Sequence, residues 1–408
     1  MKRRTLLKTM AAMGTLASGA PAGKLWAAPA TNTRLLLVFM RGGYDAASLL
    51  VPISSEFYYK ARPNIAVPKP GDGLNSALPI DADWGLHPAL RDSIHPLFTA
   101  GQAAFVPFAG TEDISRSHFE TQDSIELGQP LDRTRDYRSG FLNRLATTLN
   151  ADRASVISSQ GANAIAISFT DQLPLIMQGG AQLPNMALRS IGKPAVDARQ
   201  AKMIASMYDG SALSRQVRDG FVVRDDVMKE MIGEMDAANR NAITAKGFEL
   251  EARRIAKLMK EKYNIGFVDV GGWDTHVGQG GATGYLAGRF NELGRGLAGY
   301  AQEMGSDWKN TVVVVVSEFG RTFRENGNRG TDHGHGSVYW VLGGGIAGGR
   351  VRGEQTRIEQ DTLFQNRDYP VLNEYRAMLG GLFARMYGLD AGQVERLFGT
   401  KGRDLGLL

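Results

Sequence analysis

The chain has 408 residues, 47 basic against 42 acidic side chains, and no cysteine. Without thiols, disulfides, iron–sulfur clusters, thiolate zinc sites and cysteine nucleophiles are excluded, so any metal must be met by oxygen and imidazole. Setting aside residues 1–30 removes Lys2, Arg3, Arg4, Lys8 and Lys24 and no acidic residue; the remainder carries 42 charges of each sign and no electrostatic footprint for nucleic acid.

That first segment is set aside because Arg3-Arg4-Thr5-Leu6-Leu7-Lys8 has the twin-arginine export pattern, with Leu6 where Phe is more usual. The weakly apolar run from Met10 to Ala20 and the small-residue region from Ala27 to Ala30 complete a cleavable signal. The expectation is a periplasmic or secreted protein, passed to the twin-arginine machinery already folded. The apolar run is too short and too rich in Gly and Ala for a stable membrane span.

Residues 31–408 read as a single domain of alternating strands and helices. Arg34 to Met40 is the first strand, ending in Arg41-Gly42-Gly43-Tyr44-Asp45. Ser54 to Pro88, rich in Pro, Gly and Asp, reads as a long surface excursion. Pro88 to Ala100 is expected as a helix, Ala103 to Phe108 as a strand, and Ser117 to Leu127 as a helix. A helix over Tyr137 to Leu149 and strands near Ser155 to Ser159 and Ala164 to Ile167 follow. From about 196 to 242 the sequence turns charged and Met-rich, which predicts a helical insertion.

Phe248 to Tyr263 is expected as a helix feeding the strand Ile265 to Val270. Tyr285, Phe290, Leu293, Leu297, Tyr300 and Met304 then mark one apolar face of a long helix. The five-valine run Val312 to Val316 suits a strand buried on both faces, as in a parallel sheet covered by helices. Val338 to Leu342 is a further apolar segment. Leu372 to Tyr387 and Ala391 to Phe398 read as closing helices, the second capped by Asp390. The pattern predicts a three-layer α/β sandwich around a mostly parallel sheet.

Four polar clusters follow strands, where open α/β sheets place their sites. Gly42-Gly43-Tyr44-Asp45 offers the carboxylate of Asp45, or else a glycine turn with Asp45 as a helix cap. Ser115-Arg116-Ser117-His118-Phe119 puts two hydroxyls, a guanidinium and an imidazole at a helix start, suited to an oxyanion. Gly271-Gly272-Trp273-Asp274-Thr275-His276 offers Asp274 and His276 from a glycine-permitted loop. The last combines Glu318 with Asp332, His333 and His335. Four of the six histidines fall in these clusters; His87 and His95, near a proline-rich helix start, read as structural.

Carboxylates and imidazoles without thiolates suit zinc, manganese, magnesium, calcium or iron. Two such ions about 3.5–4 Å apart form a device for phosphoryl or sulfuryl transfer. With a seryl nucleophile the reaction would be a double displacement through a covalent ester. Arg116 and Arg321 are candidate anion clamps by their planar donor geometry.

Phe39 to Asp45, Ser115 to Phe119, Gly271 to His276, Ser317 to Thr322 with Glu325-Asn326-Gly327, and Gly330 to Gly336 together resemble the bacterial domain of unknown function 1501 family. That family is in turn similar to the alkaline phosphatase-like superfamily, which includes sulfatases. The resemblance implies a metal site at the C-terminal edge of a mostly parallel sheet. It matches Asp45 to the first-strand ligand, Ser115 or Ser117 to the nucleophile, and Asp274 with His276 to an Asp-and-His ligand pair. Phe319 stands where that superfamily has a histidine. Either Glu318 replaces the usual Asp, with His333 or His335 as the later imidazole, or Asp332-His333 is the displaced pair. His118 is a candidate for the missing imidazole. The function implied is a metal-dependent hydrolase of phosphate or sulfate esters on a small-molecule or polymer substrate. The alternatives are a non-catalytic binding or assembly protein with a degenerate site, and a redox metalloprotein.

Overall fold

A computed structural model describes residues 33–154, 165–188, 198–222 and 247–408. The expected export segment, the strand expected at 155–159 and much of the expected insertion lie outside these residues; the helix Ala198–Met207 is the first described element within the stretch expected to be an insertion.

In chain order the strands are β1 (Arg34–Met40), β2 (Leu50–Pro52), β3 (Leu78–Pro79), β4 (Trp84–Leu86), β5 (Ala103–Gly110), β6 (Ala166–Ser168), β7 (Ile265–Val270), β8 (Thr311–Ser317), β9 (Ser337–Leu342), β10 (Arg350–Val351) and β11 (Asn373–Glu374). Among the described residues the α-helices of note are α1 (His118–Leu127), α2 (Phe141–Ala154), α3 (Ala198–Met207), α4 (Phe248–Glu261), α5 (Tyr285–Met304), α6 (Tyr375–Tyr387) and α7 (Ala391–Phe398).

The large sheet runs β10-β5-β9-β8-β1-β7-β6, with β11 also paired to β5. Every neighbouring pair is parallel except those made by β9, which is antiparallel to both β5 and β8. β1 is central because its apolar run has no polar face: Leu35 through Met40 are all fully buried. Alternation splits that run between two cores. Leu36, Val38 and Met40 pack with Ile255 and Leu258 of α4 and Phe290 and Leu293 of α5. Leu35, Leu37 and Phe39 pack with Leu142 and Leu145 of α2, Leu379 of α6 and Leu397 of α7. Two cores on opposite faces of one sheet make the three-layer sandwich expected from the sequence. α7 carries the expected cap: Asp390 accepts from the Gln393 backbone, and the Gln393 side chain accepts from the Asp390 backbone.

Three expectations need correction. The stretch from Ser54 to Pro88 is a surface excursion only in part, exposed throughout residues 68–75. It forms the helix Glu56–Ala61 and supplies β3 and β4 to the small antiparallel sheet β2-β4-β3, and it buries Tyr58, Arg62, Val67 and Leu86. Its Pro and Gly residues mark turns between short elements. The helix expected over Pro88 to Ala100 is two pieces, Pro88–Leu90 and Ile94–Thr99. Pro96 lies in the first turn of the second piece, where a missing N–H costs nothing. The first closing helix starts three residues later than expected, because Asn373 and Glu374 pair with β5 before it.

His87 is fully buried; its Nδ1 accepts from the Ala89 backbone and its Nε2 donates to the Gly281 carbonyl. Burial pushes the imidazole down to about 4, against about 6.5 in an unfolded chain. The unfolded state therefore takes up the proton first on acidification. The penalty is absent above about pH 6.5 and grows to about 3 kcal/mol as pH falls towards 4. Urea midpoints measured between pH 7 and pH 4 should fall, and His87→Gln should fall less steeply over that window.

Candidate metal centre

Met40 is opposite Val270 on one side and Ser317 on the other, so β7, β1 and β8 end at one level. The loops leaving them begin side by side. Helix α1 brings His118 to the same edge.

Three imidazoles and one carboxylate converge there. The His118 Nδ1 donates to Glu318 Oε1 at 2.9 Å. The His276 Nδ1 donates to Asp332 Oδ1 at 3.1 Å. The His333 Nδ1 donates to the Arg116 carbonyl at 3.0 Å. Each acceptor has only lone pairs, so each neutral ring carries its proton on Nδ1 and turns an Nε2 lone pair inward. Those Nε2 atoms surround Asp274. His276 Nε2 is 3.0 Å and His333 Nε2 3.3 Å from Oδ1, and His118 Nε2 is 3.6 Å from Oδ2. The His276 and His333 Nε2 atoms face each other at 3.1 Å. The His118 Nε2 is buried without a hydrogen-bond partner.

Inward lone pairs and a carboxylate repel unless a cation sits among them. Ligand bonds of about 2.0–2.2 Å would set ligand–ligand edges of about 2.8–3.6 Å for octahedral to tetrahedral shells. The observed separations of 3.0–3.6 Å lie within that range. Histidines whose outer nitrogen is held by a carboxylate or carbonyl are the usual arrangement around a metal. The residues therefore fit a divalent ion held by His118, Asp274 and His333, with His276 beside them and its Nε2 facing Arg321 Nη1 at 3.4 Å. The ligand atoms of His118, Asp274 and His333 all lie within 4.8 Å of one another.

Neighbouring groups set the electrostatics of these side chains. Burial would raise the Asp274 carboxyl, but the Arg321 hydrogen bond and charge, with His276 and His118 nearby, hold it below the usual range. Glu318 is fully buried, which would raise it; bonds from His118, Gln122 and the Gly42 backbone lower it. The bond to Glu318 raises His118 despite partial burial. Burial, then the neighbouring His118 and Arg321, lowers His333.

The other expected site residues are placed as follows. Asp45 is buried, taking both guanidinium nitrogens of Arg62 at 2.5 and 3.0 Å and also Ser48 and Gln279 at 2.7 Å. Glu318 and Asp332 stand behind His118 and His276. His335 points elsewhere, with its ring 4.8 Å from that of Phe364, and burial lowers it to about 4. Ser115 is exposed; its hydroxyl lies 3.3 Å from that of Thr121 and accepts from the Ser117 backbone. Ser117 precedes α1 with its hydroxyl outside any capping bond. Arg116 is no free clamp, because Asp368 and Gln365 hold its guanidinium. Its backbone φ of +54° is uncommon for a residue with a side chain. Arg321 is buried and turned inward.

Several contributors were missed in the sequence. Gln122 donates to Glu318 at 2.9 Å, and its spacing of four from His118 on one helix face was the available signal. Asn326 holds Asp332 and the His276 carbonyl, each at 3.0 Å. Phe319 forms an apolar floor, its ring 4.9 Å from His118 and 5.0 Å from His333. A Cβ on Gly43, at φ +60°, would strike that ring.

A family model described as "Protein of unknown function (DUF1501)" matches residues 32–398. The chain belongs to the DUF1501 family. This is the family that the motifs resembled. No curated protein matches this DUF1501 chain. Among solved structures it is similar to a protein in the alkaline phosphatase superfamily from Vibrio parahaemolyticus, at 13% identity and a TM-score of 0.40, covering 99% of this chain and 78% of that one. It is also similar to Ps i-CgsB in complex with k-i-k-neocarrahexaose, at 10% identity and a TM-score of 0.37, covering 92% and 75%.

Glu318→Gln preserves shape but weakens the acceptor behind His118. Metal affinity, measured by calorimetric titration, should fall about 10–100-fold while the thermal transition stays cooperative. An unchanged affinity would place His118 outside the metal's ligand set.

Proposed function

We propose that this DUF1501 protein is an exported metal-dependent hydrolase of phosphate or sulfate esters. The observation that carries the reading is the convergence of three inward Nε2 lone pairs on Asp274, with the His118 Nε2 buried and unpartnered. A divalent ion held by His118, Asp274 and His333 would supply Lewis-acid stabilisation of charge on the transferring group.

The chain's own residues would do the rest. Asp274 and His276, nearly half exposed, leave the centre open to a substrate. Ser117 sits beside His118 at the N-terminus of a ten-residue helix, where backbone N–H groups favour an anion. Its Oγ is the proposed nucleophile. As the Oγ bond to phosphorus or sulfur forms, the bond to the alcohol oxygen breaks, and the hydroxyl proton leaves with the alcohol. Water then releases phosphate or sulfate and restores the hydroxyl. Phe319 keeps one side of the imidazoles dry, which strengthens their electrostatic effect.

Asp274→Asn and His333→Ala should each lose bound metal and nearly all hydrolysis of a nitrophenyl phosphate and sulfate panel. Ser117→Ala should keep the metal and lose turnover by at least about 100-fold. Intact hydrolysis in purified Asp274→Asn protein would end this reading. A specific observation favours the non-catalytic alternative: the guanidinia of Arg116 and Arg321 are both engaged by protein acceptors, so neither is free to grip an ester anion. Metal binding without turnover on any ester would select it.

The twin-arginine segment lies outside the described residues, and export is part of the proposal. Replacing Arg3 and Arg4 together by Lys should leave the protein in the cytoplasm, as read by cell fractionation. Periplasmic recovery of that double variant would remove the export claim. Among the described residues no helix is long and apolar enough to cross a membrane.

A further inference from the structure

We propose that the centre takes a single ion, because the Arg321 guanidinium is a built-in cation where a second ion would need to sit. This deepens the metal-dependent reading above and rests on it.

The Arg321 side chain is completely buried against Asp274. Its Nε donates to the Gly43 carbonyl. Its Nη1 donates to the Thr331 carbonyl at 3.1 Å and faces His276 Nε2 at 3.4 Å. Its Nη2 donates to the Gly42 carbonyl at 2.7 Å, the Trp273 carbonyl at 3.3 Å and the Asp274 carboxylate. All five N–H donors are thereby used within the protein. Four carbonyl oxygens and a carboxylate, the donor type a hard divalent cation prefers, thus ring the guanidinium. Here that set is filled by a planar cation that keeps its charge at any physiological pH.

The carboxylates that a second ion would need are committed elsewhere. Asp45 takes two nitrogens of Arg62 and the side chains of Ser48 and Gln279. Glu318 takes Gly42, His118 and Gln122 on Oε1 and Ser317 on Oε2. Asp332 Oδ1 takes His276 and Asn326. A second divalent ion beside that fixed guanidinium would meet like charge, with only the half-exposed Oδ2 of Asp332 uncommitted among these three carboxylates. Arg321 also joins the three loops that carry the centre, through Gly42 and Gly43, Trp273 and Asp274, and Thr331. It is a positioning residue, since every donor it has is held by the protein.

The test is elemental analysis of the purified mature protein after equilibration with excess zinc or manganese and desalting. One ion per chain is expected. Two ions would overturn the inference and leave the metal-dependent reading intact; none would remove both. Arg321→Lys, which keeps a charge near the same place, should also hold one ion. Arg321→Gly uncovers the carbonyl cradle, and the folded variant should gain a second, calcium- or manganese-binding event by calorimetry. A folded Arg321→Gly protein that still takes one ion would show that the guanidinium does not exclude the second. If that variant does not fold, the wild-type stoichiometry decides.

Discussion

The register of β1 between β7 and β8 is the constraint from which the centre follows. Three parallel strands ending at Met40, Val270 and Ser317 launch their loops from one edge, so residues more than two hundred positions apart begin as neighbours. The strands have little freedom to slip, because a one-residue shift would exchange the Leu36–Val38–Met40 face with the Leu35–Leu37–Phe39 face. Both faces are buried, but against different helices and differently shaped partners. The position of the site is thus fixed by apolar packing before any polar contact is counted.

Polar saturation then fixes the loops. Glu318 is a fully buried charge, which is tolerable only when donors surround it. Gly42, His118, Gln122 and Ser317 supply those donors, tying the β1 loop and α1 to the end of β8. Arg62 and Asp45 repeat the device at the next layer, with Arg62 also donating to the Phe323 and Thr322 carbonyls. Gln279 bridges that pair to Thr275 and Thr331. Removing one member of such a network strands the others as unpaired buried groups, which costs more than the lost bond itself.

Much of the scaffold was legible in the sequence, and the reason is its one-dimensional signals. The runs at Arg34–Met40, Ile265–Val270 and Thr311–Ser317 are dense in β-branched and aliphatic residues, and Tyr285–Met304 shows its apolar face at helical spacing. The segment from Ser54 to Pro88 was misread because its elements are too short for periodicity, and its Pro and Gly residues dominate the local pattern. At the centre, the residue types were legible but their layer was not. Asp274, His276 and His333 read as ligands and do converge. Asp45, Glu318 and Asp332 have the same chemistry, yet their partners are Arg62, His118 and His276. Whether a carboxylate faces a cavity or a neighbouring side chain depends on residues distant in sequence. Arg321 shows the same limit: its donors suit an anion, and only the fold reveals that they are spent on carbonyls.

Phe319 links these layers. Placed directly after Glu318, it turns its ring under His118 and His333 while its neighbour holds the His118 Nδ1 from behind. Gly43, which has no Cβ, leaves the room in which that ring lies against the backbone. The imidazoles of the centre come from α1 and from the loops after β7 and β8. Such a ligand set exists only once the sheet, α1 and three loops have assembled, and an unfolded chain offers nothing comparable. An ion held there would therefore draw on folding free energy and would stabilise the assembled chain by mass action. The proposed twin-arginine export, which takes folded cargo, would then carry the centre already assembled.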